Sequence, residues 1–476
     1  MPAKSWKKQS AEDWIISGSS QAQNPGFAFL DSNFFSGTYG QYSVLAHDPF
    51  LIFEAKGSLI KIIQPEGAAF FQGEPLEVLE NLLLQCSTRY SEFLDENQFF
   101  TPGAFGFLSY ELGYPLQNLS CLPEDDLLIS DVWFAFHDKI SIYDHQSKLS
   151  LKFSIPENNH AFLDLPHLTK GKLPENRSKI KQQVESENQL FKKSKHVEHS
   201  YFTTSFTQGE YAQAFNKIMD HIKRGNIYQA NLSQRFSFPF NGDPWNAYST
   251  LRTSHPTALS ACLNTGRNFI LSASPELFLK KKGKLIETCP IKGTKLKPIH
   301  SEEEATVMNE LLQSEKDRAE HLMIVDLERN DLGRVCETGS IQVKDLTRVE
   351  TCGSVFHLVS TVSGKLNPKT GLREILRGVF PGGSITGAPK KKAMSIIAEI
   401  EPVVRGVYTG ALGWIGFSGD FMFNLPIRTA VIQDRVAHVS VGGGIVADST
   451  AEGEYQEILD KGKAFFELFK NTSTAI

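Results

Sequence analysis

Apolar residues in the first third of the chain fall in short runs separated by turn residues, as short strands do. Tyr42 to Ala46, Phe50 to Glu54 and Ser58 to Ile63 are the clearest. From Gly209 to Arg224 the spacing changes. Tyr211, Phe215, Ile218, Met219 and Ile222 recur at helical intervals, and Gly225-Asn226 supplies a stop signal. A long helix is expected around Ser301 to Leu327, and the apolar neighbours of His357 give a helix-like stretch. Strands and helices come in blocks without regular alternation, which predicts an α+β fold rather than a doubly wound parallel sheet. The polar stretch Gly171 to Ser200 reads either as a connector or as a solvated helix. Pro49 to Gly57 and Pro275 to Gly283 share a Pro, apolar, charged, Gly pattern, which fits two related halves or ordinary hairpins.

Composition narrows the function classes. With 41% hydrophobic and 22% charged residues the chain is globular, and its net charge of −5 gives no broad positive field for nucleic acid. Local cations can still hold a small anion within an acidic whole. Six cysteines in 476 residues, with no C-x-x-C and no zinc spacing, point to a reducing compartment. No apolar run approaches the roughly 18 residues of a membrane span. A soluble, cytoplasmic protein is expected.

Candidate chemistry clusters in the second half. Phe380-Pro-Gly-Gly-Ser-Ile-Thr-Gly-Ala-Pro-Lys390 is a glycine-rich loop running into Pro389, which suits a first helical turn, and Lys390 follows. A helix N-terminus there would favour an anion, although the P-loop pattern is missed, because Ala388 and Pro389 stand where Lys and Ser/Thr are required. Gly442-Gly443-Gly444 fits either a backbone anion cradle or a strand-end bulge. Arg428 offers a bidentate carboxylate contact or a plain surface charge. Glu454 and Glu457, like Asp317 and Glu320, are i, i+3 pairs on expected helices. Such acids are solvated faces or, together, a Mg²⁺ site.

Glu276 and Lys292 flank an expected hairpin. Lys281-Lys282-Gly283 fits a three-residue loop, which puts both on one face, whereas a two-residue loop would separate them. Lys292 is either a surface lysine beside a turn or, if desolvated, a nucleophile. His357 is a core histidine or a catalyst.

Together these residues resemble the chorismate-utilising enzymes, a family that includes the large subunits of anthranilate and aminodeoxychorismate synthases and the isochorismate and salicylate synthases. The resemblance is densest from Gly209 to Phe466. It rests on Ala319-Glu-His-Leu-Met-Ile-Val-Asp-Leu-Glu-Arg-Asn-Asp-Leu-Gly-Arg334 and Gly383-Ser-Ile-Thr-Gly-Ala-Pro-Lys390. It is looser through Tyr42 to Pro49 and Gly103 to Glu111. It implies a two-lobed β-sandwich with outer helices: an N-terminal lobe at 1–155, a polar connector at 156–204 and a chorismate-binding region at 205–470.

The resemblance also orders the site. Glu320 and Glu457 match Mg²⁺ ligands, and Glu454 matches a residue acting on the metal through water. Asp317 departs from the longer acid that anthranilate synthases often carry. Tyr408, Arg428, Gly443, Gly444 and Lys461 match positions that grip the substrate carboxylates. Thr294 and Gln229 line the pocket, and His357 lies near the departing C4 hydroxyl. Ile227 to Arg235 resembles the ammonia-using members, because no lysine base stands near Gln229. Pro290-Ile-Lys-Gly-Thr294 resembles the branch that places the amine at C4, where anthranilate-forming members usually read Ala at the third position. In that branch the lysine attacks C2, an acid matching Glu276 protonates the leaving hydroxyl, and ammonia displaces the lysine. The resemblance further implies a separate glutaminase subunit as the ammonia source. Ser32, in Leu30-Asp-Ser32, resembles the family's tryptophan pocket.

Overall fold

A computed structural model describes residues 5–33, 39–94, 100–120, 122–155, 197–199, 202–298, 300–352 and 355–470. Most of the 156–204 connector lies outside the described residues, as do the calls on it. The exceptions are Val197–His199 and Phe202–Thr204, which are strands at one end of a sheet.

Two large antiparallel sheets form the frame, of 13 and 12 strands among the described residues. The first sheet runs from Ser5–Lys8 through Ala28–Asp31, which pairs with Ser260–Asn264, and on to Val436–Ile445 and Gln229–Pro239. The second carries Ile291–Leu296, Val355–Lys365, Leu285–Cys289 and Leu277–Lys282, then joins Ala411–Gly416 to Gly103–Leu108. Strands from both ends of the chain therefore share each sheet.

Strand periodicity sorts the core. Ala28, Leu30, Val44, Ala261 and Ile270 face a cluster shared with the second sheet, including Phe53, Phe105 and Leu412. Their neighbours Phe29, Leu45, Cys262 and Leu271 point the other way, against helices such as Ala451–Lys470. Alternate residues of one strand thus enter two different cores, as the pleat dictates. The fold is α+β, two antiparallel sheets with outer helices.

Local differences from the sequence pattern have physical causes. The helix read at Gly209 to Arg224 is Gln208–Lys223, started by a Thr207/Glu210 capping box and followed by Gly225 at φ +70°. The long helix at 301–327 is two, Ser301–Gln313 and Glu315–Gly333. Ser314 breaks it: extended in backbone, it accepts the Asp317 N–H at 3.3 Å. The stretch around His357 is a strand, Val355–Lys365, not a helix, because its β-branched residues and paired neighbours win over a short apolar run that fits either period.

The 276–292 hairpin has a two-residue turn, with Lys282 opposite Leu285 and Gly283 at φ +57°. That corrects the three-residue reading. The earlier echo is the same device, with Lys56 opposite Leu59 and Gly57 at φ +56°. Among the described residues Cys86, Cys262, Cys289 and Cys336 are buried and unpaired. No described helix is long and apolar enough to cross a membrane.

Candidate active site

A two-residue turn alone would send Glu276 and Lys292 to opposite faces. Two irregularities bring them within electrostatic reach of each other. The ladder shifts register between Leu277 and Lys280, and Pro290 ends the second strand before Ile291–Leu296 begins. A further bulge lies at Gly293, where φ is +67° and Lys292 and Thr294 oppose the successive residues Leu358 and His357. A Cβ at Gly293 would stand 3.1 Å from Leu311 Cδ1 and 3.2 Å from Asp317 Cβ, so glycine meets both demands there.

The glycine triplet supplies the other wall. It is neither a loop nor a terminal bulge but the regular interior of Val436–Ile445, paired residue for residue with Gln229–Pro239. A Cβ at Gly442 would lie 3.1 Å from the Tyr408 hydroxyl; one at Gly444 would lie 2.7 Å from Gln229 Nε2 and 3.4 Å from Lys292 Nζ. On the opposite face, a Cβ at Gly443 would lie 2.7 Å from Glu454 Oε2. Without side chains there both faces of the strand are open, and of the carboxylates on Ala451–Lys470 that of Glu457 reaches the field of Lys292. Gly444→Ala is expected to cost about 10²-fold in kcat/KM by displacing groups around the amine. Its thermal unfolding midpoint should stay near the parent's, because the backbone there is extended.

Electrostatics divide the roles. Burial, and then Lys461, push the Lys292 ammonium below its ordinary value, against the pull of Glu320, Glu276 and Glu457. Burial raises the Glu276 carboxyl to about 7, opposed by a hydrogen bond from Ser384 Oγ at 2.7 Å and by Lys292. Burial and the Arg428 charge lower His357 to about 4, so its ring is neutral at physiological pH. His357 Nδ1 lies 3.0 Å from Thr294 Oγ1, while Nε2 is buried without a protein partner among the described residues. Both amide atoms of Gln229 are likewise buried and unpartnered.

The acids come from two helices. Glu320 faces Lys316 at 4.0 Å, and Glu457 accepts from Lys461 at 2.6 Å. Burial raises Glu457, but Lys461, Lys292 and Lys316 together outweigh it and hold the carboxylate below its usual range. Burial raises Glu454, whose Oε1 accepts from Ser449 at 2.6 Å while Oε2 has no partner among the described residues. Lys461 Nζ also donates to Gly442 O at 3.2 Å. Arg428 stands at φ +49° in the turn before Thr429–Gln433, not within a strand, and its charge reaches His357.

The other sequence candidates divide. Ser32 lies elsewhere: its hydroxyl donates to Ala258 O at 2.8 Å and its N–H to Ser43 Oγ at 2.9 Å. Lys390 is no anion ligand. It is buried in a pair with Asp331 and donates to Val379 O at 2.8 Å and Pro381 O at 2.6 Å. Pro389 is the N-cap of Lys390–Ile400 rather than a first-turn residue. The loop's N–H meets an internal carboxyl instead of a ligand: Gly383 N–H donates to Glu328 Oε1 at 2.9 Å. Ser384 was not singled out by the sequence, although its motif was; only the folded chain shows that its hydroxyl meets Glu276.

A depressed amine, a carboxyl poised near neutrality, a neutral imidazole and a flank of carboxylates and lysines suit an enzyme acting on a small polyanion. Residues 46–467 match the chorismate binding enzyme family, and the chain belongs to it. It is 37% identical to aminodeoxychorismate synthase component 1 of Bacillus subtilis over 426 residues, 89% of this chain and 88% of that one. It is 32% identical to anthranilate synthase component 1 of Acetivibrio thermocellus over 438 residues, covering 91% and 87%. Among solved structures, anthranilate synthase component I from Streptococcus pneumoniae superposes with a TM-score of 0.73 at 29% identity, covering 89% and 91%. This is a chorismate-utilising enzyme.

Proposed function

We propose that the enzyme aminates chorismate at C4, giving 4-amino-4-deoxychorismate, with ammonia supplied by a separate glutaminase subunit. The observation that carries the reading is Lys292, a lysine in an environment that disfavours its charge, beside a carboxyl near 7. Relatives named aminodeoxychorismate synthase component 1 in Bacillus subtilis and Escherichia coli support it. Anthranilate formation is the second reading, favoured by relatives such as that of Acetivibrio thermocellus.

In this mechanism neutral Lys292 forms a bond from Nζ to C2 as the C4–oxygen bond breaks, and Glu276 delivers its proton to the departing hydroxyl, released as water. The lysine nitrogen sheds a proton to the Glu276 carboxylate, restoring the acid. Ammonia then bonds to C4, the ring double bond returns and the C2–nitrogen bond breaks; a proton given up by the added nitrogen replaces the one the departing lysine nitrogen had shed, restoring the amine. His357, neutral and with Nε2 free of a protein partner among the described residues, would hydrogen-bond the departing oxygen without adding charge.

Magnesium is the proposed cofactor. Among the described residues no three acids or histidines stand together as a preformed metal cage. The donors nevertheless fit: all are carboxylate oxygens, Glu454 Oε2 is buried and unpartnered among the described residues, and Glu320 and Glu457 are paired with lysines that a bound cation would displace. Glu320 and Glu457 would hold the ion, with Glu454 acting through water. When bound, the ion would neutralise the ring carboxylate of the substrate.

The ammonia source is tested by supplying it in two forms. With chorismate, Mg²⁺ and ammonium the isolated chain is expected to consume chorismate, and with glutamine alone it should not. Glutamine-dependent turnover by the chain alone would contradict the need for a partner.

A further inference from the structure

Glu276 is held from outside its own sheet. Ser384 Oγ donates to Glu276 Oε1 at 2.7 Å, with both groups buried. Ser384 belongs to the short turn Gly383–Ile385, and the helix Glu315–Gly333 fastens that turn in place. Glu328 takes the Gly383 N–H at 2.9 Å. One turn on, at i+3, Asp331 pairs with Lys390, whose ammonium also holds the carbonyls of Val379 and Pro381 on the segment leading into the turn. There is no slack at Gly383, where a Cβ would stand 2.7 Å from Leu327 Cδ2 and 2.9 Å from Glu328 Oε1.

We propose that Ser384 is a positioning residue for the acid. Its hydroxyl holds Oε1 of Glu276 as an acceptor, so that the transferable proton resides on Oε2, and it sets the pH at which that proton is lost. Glu328, Asp331 and Lys390 are the buckle that keeps the serine in place. The role rests on Glu276 being the acid of the proposed reaction. The groups facing Glu276 are the ammonium groups of Lys292 and Lys461, the N–H of Ile291, the Ser384 hydroxyl and the Glu328 carboxyl. A donor hydrogen bond favours the ionised carboxylate, so removing it should raise the pH of proton loss.

The test is a set of pH–rate profiles on the full chain at constant free ammonia. Glu276→Gln identifies the limb that depends on this carboxyl, because that limb should vanish. Ser384→Ala is expected to move that same limb upward by roughly one pH unit and to lower the plateau roughly tenfold. Ser384→Thr, which keeps the hydroxyl, should restore the parental position, and Ser384→Cys, a weaker donor, should fall between. A limb left at its parental pH in Ser384→Ala, or in Ser384→Cys should the alanine variant not fold, overturns the positioning role alone, however low the plateau. A profile in which Glu276→Gln removes no limb overturns the acid assignment, and the positioning role with it.

Discussion

Replacing Lys292 with alanine is expected to lower chorismate amination at C4 by at least about 10³-fold, the scale on which removing a nucleophile acts. The expectation follows from where the amine sits. A solvated lysine would keep its proton, whereas here burial and the second cation Lys461 weaken that hold. The amine lies against the glycine strand, where a Cβ at Gly444 would stand 3.4 Å from its Nζ, so the absence of a side chain there keeps the strand clear of the amine. Arginine at 292 should fail as alanine does, because guanidinium stays protonated. Whatever turnover survives in Lys292→Ala is expected to place nitrogen at C2, where ammonia would attack without the covalent detour. Product ratios by mass spectrometry check this, and full C4 amination by the alanine variant would show that the lysine forms no bond to substrate.

The second large effect belongs to Glu276. Glutamine at this position keeps the shape and can still accept from Ser384, but it cannot deliver a proton, so kcat should fall about 10²- to 10⁴-fold. The sign of the pH dependence follows from the two groups. Burial raises Glu276 to about 7, so the fraction carrying a proton falls as pH rises through that value. Lys292 must lose its proton to attack, so its competent fraction grows as pH rises. One group needed protonated and one deprotonated give a bell-shaped profile whose apparent limbs belong to the pair. Glu276→Gln should erase the limb due to the carboxyl. A bell unchanged in shape in that variant would exclude Glu276 as the acid.

The fold was legible where one period dominated. Tyr42–Ala46 is the strand its short apolar run predicted, and Gly225 follows the helix it was read to stop. It was illegible where two signals competed over a few residues. The run around His357 fits a strand or a helix, and ladder partners on both sides decide for the strand. Ser314 mid-pattern reads as an ordinary polar residue until its hydroxyl caps a second helix.

The site divides in the same way. Residue types at 276, 292, 320, 357 and 457 announced chemistry, yet their meeting depends on a register shift, on Pro290 and on the Gly293 bulge, none of which a period can foretell. Lys390 followed a glycine-rich loop as an anion ligand would, but its partner Asp331 lies 59 positions away in sequence. Long-range pairing of that kind is settled only by packing, and so is the hydrogen bond from Ser384 to Glu276.

The placement of nitrogen on the ring is the central claim, and one incubation tests it. Purified protein with chorismate, Mg²⁺ and excess ammonium is analysed by mass spectrometry, beside a parallel sample treated with aminodeoxychorismate lyase. The account predicts 4-amino-4-deoxychorismate, converted to 4-aminobenzoate only where the lyase is present. Anthranilate and pyruvate formed without the lyase would contradict it.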